Sequence, residues 1–214
     1  MANSSYFIEM EISGDTAMWT RPDTGDCPVS EIIPSYSAVK AIFESVSFGF
    51  NSVIRPVKVE ICAPIQYHSY YTNYGGPLRE TAKIKKGASF QLLATVLIDV
   101  CYRFYAEVVT NNKKDGISSK SKEWDKKTNS PAHAYQEIFS RRLKRGQCYS
   151  VPSLGWKEFT ASYFGPFREN TKVYSDFSTT IPSVLRQVFS ERYNSPVSIV
   201  FDQNVKVING TVLF

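Results

Sequence analysis

Residues 130–159, SPAHAYQEIFSRRLKRGQCYSVPSLGWKEF, decide how the rest of the chain is arranged. Ser130 and Pro131 read as a side-chain N-cap followed by the residue best suited to the first helical position. Ile138, Phe139 and Leu143 then supply a one-sided apolar stripe. Arg141, Arg142, Lys144 and Arg145 crowd the last turn, where a helix C-terminus favours cations. Gly146 follows as a left-handed cap. A strand is expected over residues 147–151, then a turn at Pro152-Ser153-Leu154-Gly155 and a second strand through Phe159. The unit reads as a helix delivering a basic end to a sheet edge. Such an end fits phosphate, and it also fits an ordinary solvated surface.

Outward from this unit, charge is concentrated rather than spread. Residues 113–158 hold eleven Lys or Arg against five acids, more than the whole chain's net +5, so the remainder is close to neutral. A focused basic face is the electrostatic footprint of a phosphate-bearing partner. Residues 113–127 taken alone read better as a solvated Lys-rich loop. With 214 residues, 43% hydrophobic and 14% aromatic, the chain has the composition of a globular protein with a sizeable core. No basic stretch followed by an apolar block opens the sequence, so no secretory leader is expected. No apolar run approaches the ~20 residues of a membrane-spanning helix. Cys27, Cys62, Cys101 and Cys148 lie far apart, which suits reduced thiols better than a disulfide framework or a zinc site. His68 and His133 are the two histidines, and no acidic cluster suggests magnesium, so neither metal nor cofactor is expected.

Toward the N-terminus, residues 6–13 alternate as a half-buried strand, with Ile8, Met10 and Ile12 on one side and Glu9 and Glu11 on the other. Trp19 reads as core, and Arg21 as an exposed cation able to meet a phosphate. Ser35 or Ser37 caps a helix whose Val39, Ile42, Phe43 and Val46 form an amphipathic stripe, with Gly49 as its expected end. Lys40 lies off that stripe, free to reach a ligand. Residues 55–65 read as a second strand with Val57, Val59 and Ile61 on one face. Residues 66–90 are polar and rich in Tyr, Gly and Lys, an extended arm suited to nucleic-acid bases and phosphates or to a protein partner. Residues 91–109 alternate strictly as a long strand, and 111–129 read as a loop.

The order strand, helix, strand, strand, helix, strand is the split βαβ pattern of a ferredoxin-like domain, shared with RNA-recognition modules. No RNP-type aromatic motif lies on the candidate strands, which disfavours a standard RNA-recognition motif. The expected class is therefore α+β, with a ferredoxin-like domain over residues 1–159 carrying the 66–90 arm. A small β-rich appendage is expected over 160–214, with a helix-like segment at 183–192 and strands at 197–201 and 205–214, packed on the first domain.

Several short runs carry a family resemblance. These are Gly14-Asp15-Thr16-Ala17, Pro34-Ser35-Tyr36-Ser37-Ala38-Val39-Lys40 with Glu44, and Ala63-Pro64-Ile65. Above all, Ile138-Phe139-Ser140-Arg141-Arg142 runs into Gly146-Gln147-Cys148 and then Leu154-Gly155-Trp156-Lys157-Glu158-Phe159. Together they resemble the CRISPR-associated RAMP subunit that caps the 5′ handle of the guide RNA in type I (Cascade) complexes, nearest to its type I-C form. The family usually has Cys-Arg where this chain has Trp156-Lys157. The resemblance implies a prokaryotic cytoplasmic protein that binds crRNA and contacts the backbone and large subunits, meeting target DNA only through the complex. Residues placed against RNA are Arg141 and Arg142 first, then Lys144, Arg145, Lys40, Arg21, Gln147 and Lys157.

The type I-C form also implies a metal-independent endoribonuclease, which needs a base at the ribose 2′-hydroxyl and a cation at the phosphorane. The family's Lys-His pair falls here on Ala134 and Tyr135, and its Tyr near the end of the first helix falls on Ser47. None of the three is retained, and a tyrosine of pKa ~10 is a weak base at neutral pH. His133 stands two residues from Tyr135, about 200° around a regular helix. The leading expectation is a guide-RNA-binding subunit without nuclease activity. A processing endoribonuclease using His133 and Tyr135 in a rearranged site is the alternative, and an unrelated basic ferredoxin-like interaction protein is a third.

Overall fold

In the computed structural model, residues 6–73, 91–111, 118–128, 130–189 and 197–214 are described. Strand β1 (Tyr6–Ala17) buries Ile8, Met10 and Ile12 on one face, as its alternation requires. It pairs antiparallel with the long β4 (Gln91–Thr110), setting Met10 against Phe104 and Ile12 against Tyr102. On the far side of β4 lies β2 (Ser52–Ile61). The sheet is completed by β5 (Tyr163–Gly165) beside β1 and by β8 (Thr211–Leu213) beside β2. The order is β5-β1-β4-β2-β8, antiparallel throughout, with β3 (Tyr67–Asn73) paired to the first half of β4. Strands β6 (Thr179–Phe189) and β7 (Val197–Val207) form a separate two-stranded sheet.

Helices α1 (Tyr36–Val46) and α3 (Pro131–Lys144) cover one face of the main sheet. Phe43 of α1 meets Phe139 of α3 at 5.6 Å between ring centroids and Phe104 of β4 at 6.4 Å. All three rings are buried, and each contributes about 1.5–3 kcal/mol by leaving water. Ser35 caps α1 by accepting from the Ala38 N–H at 3.2 Å. The opposite face is closed by a polar clasp. There the fully buried Glu11 takes hydrogen bonds from Arg103, from Thr171, and from both the backbone and side chain of Arg168. Burial alone would raise the Glu11 carboxyl, but these hydrogen bonds outweigh it and hold it below its usual range.

Several expectations need correction. Residues 147–159 form no strands; they run as an irregular loop with one isolated bridge between Ser153 and Thr160. The helix-like segment 183–192 is strand as far as Phe189, within β6, and the two tail strands are β7 and the short β8. The 111–129 segment contains helix α2 (Ser119–Lys127), and α1 stops at Val46 rather than Gly49. Ser130 occupies the N-cap position of α3 without a side-chain cap bond; its hydroxyl instead meets the Tyr6 hydroxyl at 3.4 Å. The second strand begins at Ser52 and ends at Ile61, and a register shift between Pro56 and Lys58 turns Ile54, Val59 and Ile61 to the same core. In β4, Asp99 at φ +52° breaks the strict alternation. Beyond it Val100 to Val108 alternate into the main core, whereas Ala94 and Val96 join Met18 in a smaller cluster. The arm beyond Asn73 lies outside the described residues.

Candidate nucleic-acid interface

At the C-terminal end of α3, Gly146 at φ +62° turns the chain out of the helix, as the sequence requires. Arg141, Lys144 and Arg145 are exposed there, and none pairs with an acid among the described residues. Three cations at the negative end of a helix, with no carboxylate partner among the described residues, are arranged as an anion-binding surface would be. Arg142 behaves differently. Its Nε donates to the Val46 carbonyl at 2.8 Å, and its guanidinium lies 4.2 Å above the Tyr149 ring. It therefore ties α3 to the end of α1 while presenting an exposed aromatic ring. Tyr149 is 65% exposed, and the Arg142–Tyr149 stack escaped the sequence reading because Tyr149 was assigned to a strand. Gln147 is exposed in the same loop.

That loop runs the length of α1. The N–H groups of Tyr149 and Ser150 donate to the Ser45 carbonyl at one end, and Met18 N–H donates to Leu154 O at the other. The turn at Gly155 is possible only for glycine: its φ is +96°, and an added Cβ would lie 1.8 Å from the Met18 carbonyl oxygen. Trp156 then donates its Nε1–H to Thr20 Oγ1 at 2.9 Å, bringing exposed Lys157 and the Arg21 segment to the same end of the molecule. Arg21 is not free. It makes two hydrogen bonds to Asp23, at 2.7 and 3.1 Å, and stands 3.7 Å from Glu31. Lys40 lies 3.8 Å from Glu44. The sequence candidates thus divide into a cationic helix end and a second group toward the other end of α1, where Arg21 and Lys40 are partly neutralised.

Of the three positions on which the resemblance places processing residues, Tyr135 and Ser47 come together, but as core, and Ala134 is half-buried. Tyr135 is 5% exposed and Ser47 2% exposed, and the Tyr135 hydroxyl donates to the Ser47 carbonyl. Burial, with the Glu44 carboxylate nearby, pushes the phenol well above its usual range. A protonated donor already committed to a carbonyl cannot accept a proton from ribose. His133 projects the other way: its side chain is 55% exposed, 3.9 Å from Glu137 and 5.3 Å from the Tyr6 ring centroid. No cluster of three or more His, Cys, Asp or Glu able to hold a metal occurs among the described residues, and none of their helices is long and apolar enough to cross a membrane.

Fold and surface together define a mixed α/β protein, dominated by an antiparallel sheet, that carries an exposed cationic helix end flanked by an aromatic ring. The model of the Cas5d family, described as CRISPR-associated protein (Cas_Cas5), matches residues 7–203, and the chain belongs to that family. It is 28% identical over 212 residues to the CRISPR pre-crRNA endoribonuclease Cas5d of Mannheimia succiniciproducens, covering 88% of each chain. It is 26% identical over 161 residues to the Thermus thermophilus protein of the same name, covering 74% of this chain and 63% of that one. A solved structure described as a CRISPR-associated protein superposes with a TM-score of 0.73 at 15% identity, over 100% of this chain and 94% of the other. The resemblance carried by the Ile138-Phe139-Ser140-Arg141-Arg142 and Leu154-Gly155-Trp156-Lys157 runs therefore holds at the level of the family.

Proposed function

We propose that this chain is the guide-RNA-binding subunit of a CRISPR interference complex, gripping the 5′ handle of crRNA without cutting it. The observation that carries the reading is a contrast between two parts of α3. Arg141, Lys144 and Arg145 at its C-terminal end are exposed and without an acidic partner among the described residues, while Tyr135, at a position the family uses for chemistry, is sealed in the core on the Ser47 carbonyl. Arg141, Lys144 and Arg145 take backbone phosphates, Arg142 positions Tyr149 for a base, and Gln147 and Lys157 extend the track. Arg21 and Lys40 join it only by exchanging their present carboxylate partners for phosphate. The order β5-β1-β4-β2, with one helix after β1 and another before β5, supports a ferredoxin-like RAMP core that runs past residue 159 to take in β5 at Tyr163–Gly165. The β6–β7 hairpin supports a distinct part within 160–214. A backbone subunit and a large subunit of a type I complex in the prokaryotic cytoplasm are the protein partners of this reading, and target DNA is met through the guide.

The names of the two relatives favour a second reading, processing of pre-crRNA. Here that chemistry would need His133, the one exposed histidine on α3, acting without Tyr135. Incubation of the purified chain with its repeat RNA in EDTA separates the two. The expected result is salt-sensitive binding with intact RNA; a specific cut at the base of the repeat hairpin would overturn the non-catalytic reading.

A further inference from the structure

Between the β1–α1 connection, the Gly155 loop and β6 lies a cavity of about 230 Å³. That is below the range of pockets for drug-sized ligands and suits a single planar ring. Ile33, Ala38 and Val184 give it apolar walls. Trp156 gives it an aromatic one, with the indole held in orientation by Phe159, stacked at 5.7 Å and 13°, and by its hydrogen bond to Thr20. Glu31 also lines the cavity. Its side chain is only 16% exposed, yet its carboxylate accepts no hydrogen bond among the described residues. Arg21 stands 3.7 Å away, and burial, helped by the nearby Asp23 carboxylate, raises the Glu31 carboxyl above its usual range against the pull of that cation. The Glu31 oxygens are still reached by solvent, so a ligand with paired donors would replace water at acceptor sites that no described protein donor fills.

We infer that this cavity is a guanine-selective pocket for one unpaired nucleotide of the RNA. The inference rests on the RNA-binding reading above and names the base that reading leaves open. A carboxylate is best satisfied by two adjacent N–H donors. Guanine alone among the four bases offers such a pair on its Watson–Crick edge, N1–H beside the N2 amine. Adenine and cytosine set a lone pair next to their amine, and uracil flanks its single N–H with carbonyls, so each turns an acceptor toward Glu31. Splayed single-stranded bases are read in this way, by an aromatic wall and the Watson–Crick edge together. Exposed Lys157, next to the lining residue Trp156, places positive charge at the rim where the nucleotide's phosphate leaves the pocket.

The test is a titration of the full chain with GMP, IMP, AMP, CMP and UMP, followed by fluorescence, since Trp19 and Trp156 both line the cavity. GMP is expected to bind at least about tenfold more tightly than the other three standard nucleotides, and IMP, lacking the N2 amine, to lose most of that margin. The isosteric Glu31→Gln variant should abolish the GMP preference while melting like the parent. Equal affinities, no saturable quenching, or a preference that survives in Glu31→Gln would overturn the pocket, and the comparison of GMP with IMP on the unaltered chain needs no variant to fold. Handle RNA bound without GMP selectivity would sink the pocket and leave the RNA reading standing. GMP selectivity without salt-dependent affinity for the handle would do the reverse.

Discussion

Tyr135 shows how burial removes a side chain from acid–base chemistry. Its hydroxyl satisfies a backbone carbonyl just beyond the end of α1, so its contribution is to the fold. Tyr135→Phe should cost about 1–2 kcal/mol in urea denaturation, because the Ser47 carbonyl is left buried without a donor, and should leave handle affinity unchanged. Glu11 is the complementary case. Its carboxyl is held below the ordinary value, so its stabilisation is complete above the unfolded-state pKa of about 4.3 and is lost as pH falls through the lower folded-state value. Glu11→Gln strands Arg103 and Arg168 without their carboxylate and should cost about 3 kcal/mol at neutral pH. The variant's denaturation midpoint should also lose part of the parent's acid sensitivity. A parent midpoint that is flat from pH 6 down to 3 would contradict this role for the clasp.

At the scale of elements, the end of α3 makes a quantitative demand. Three phosphate contacts to a single strand give a salt slope of about −2, at about 0.7 per contact. Replacing Arg141, Lys144 and Arg145 by Ala should therefore flatten the slope of log affinity against log salt by about 2 in filter binding, with the melting temperature nearly unchanged because none of their side chains bonds to another described residue. A variant with the parent's slope would move the RNA elsewhere. Which elements were legible follows the same physics. β1, α1, β4 and α3 each bury one face, and that face is written as a period in their apolar residues. β6 was misread because register shifts between Leu185 and Gln187 and between Gln187 and Phe189 destroy its period of two. The apolar residues Val184, Leu185, Val188 and Phe189 then fall at helical spacing. α2 has no apolar stripe to read; it is supported by the Ser118 cap and the Lys127–Glu123 pair at 2.8 Å. The exposed cations at the end of α3 were legible because exposed charge needs no tertiary partner. The Glu31 cavity was not, since its walls come from four separate stretches of chain.

Across the whole molecule, the sheet is assembled from distant pieces: Tyr6 pairs with Val108, Ile12 with Phe164, and Lys58 with Leu213. Loop-closure entropy must be overcome before any of these contacts stabilises the chain, so refolding from denaturant should be slow, in the range of about milliseconds to seconds. Stopped-flow fluorescence from Trp19 reports it directly, because that indole is buried against Tyr102 of the central strand. Submillisecond recovery of the native signal would mean that local structure, rather than long-range pairing, limits folding.

The placement of β1 between β4 and β5 has a consequence for biosynthesis. At ordinary elongation rates of about 5–20 residues per second, the strand leaves the ribosome on the order of 5–20 s before its β4 partner does. For that interval a ribbon with Ile8, Met10 and Ile12 along one face lacks its central pairing strand. Such a nascent segment invites capture by holdase chaperones, and by neighbouring chains where translation is crowded. The yield of this protein in a cell should therefore respond to trigger-type chaperone supply and to codon-level pauses between the first and fourth strands, quite apart from the stability of the finished molecule.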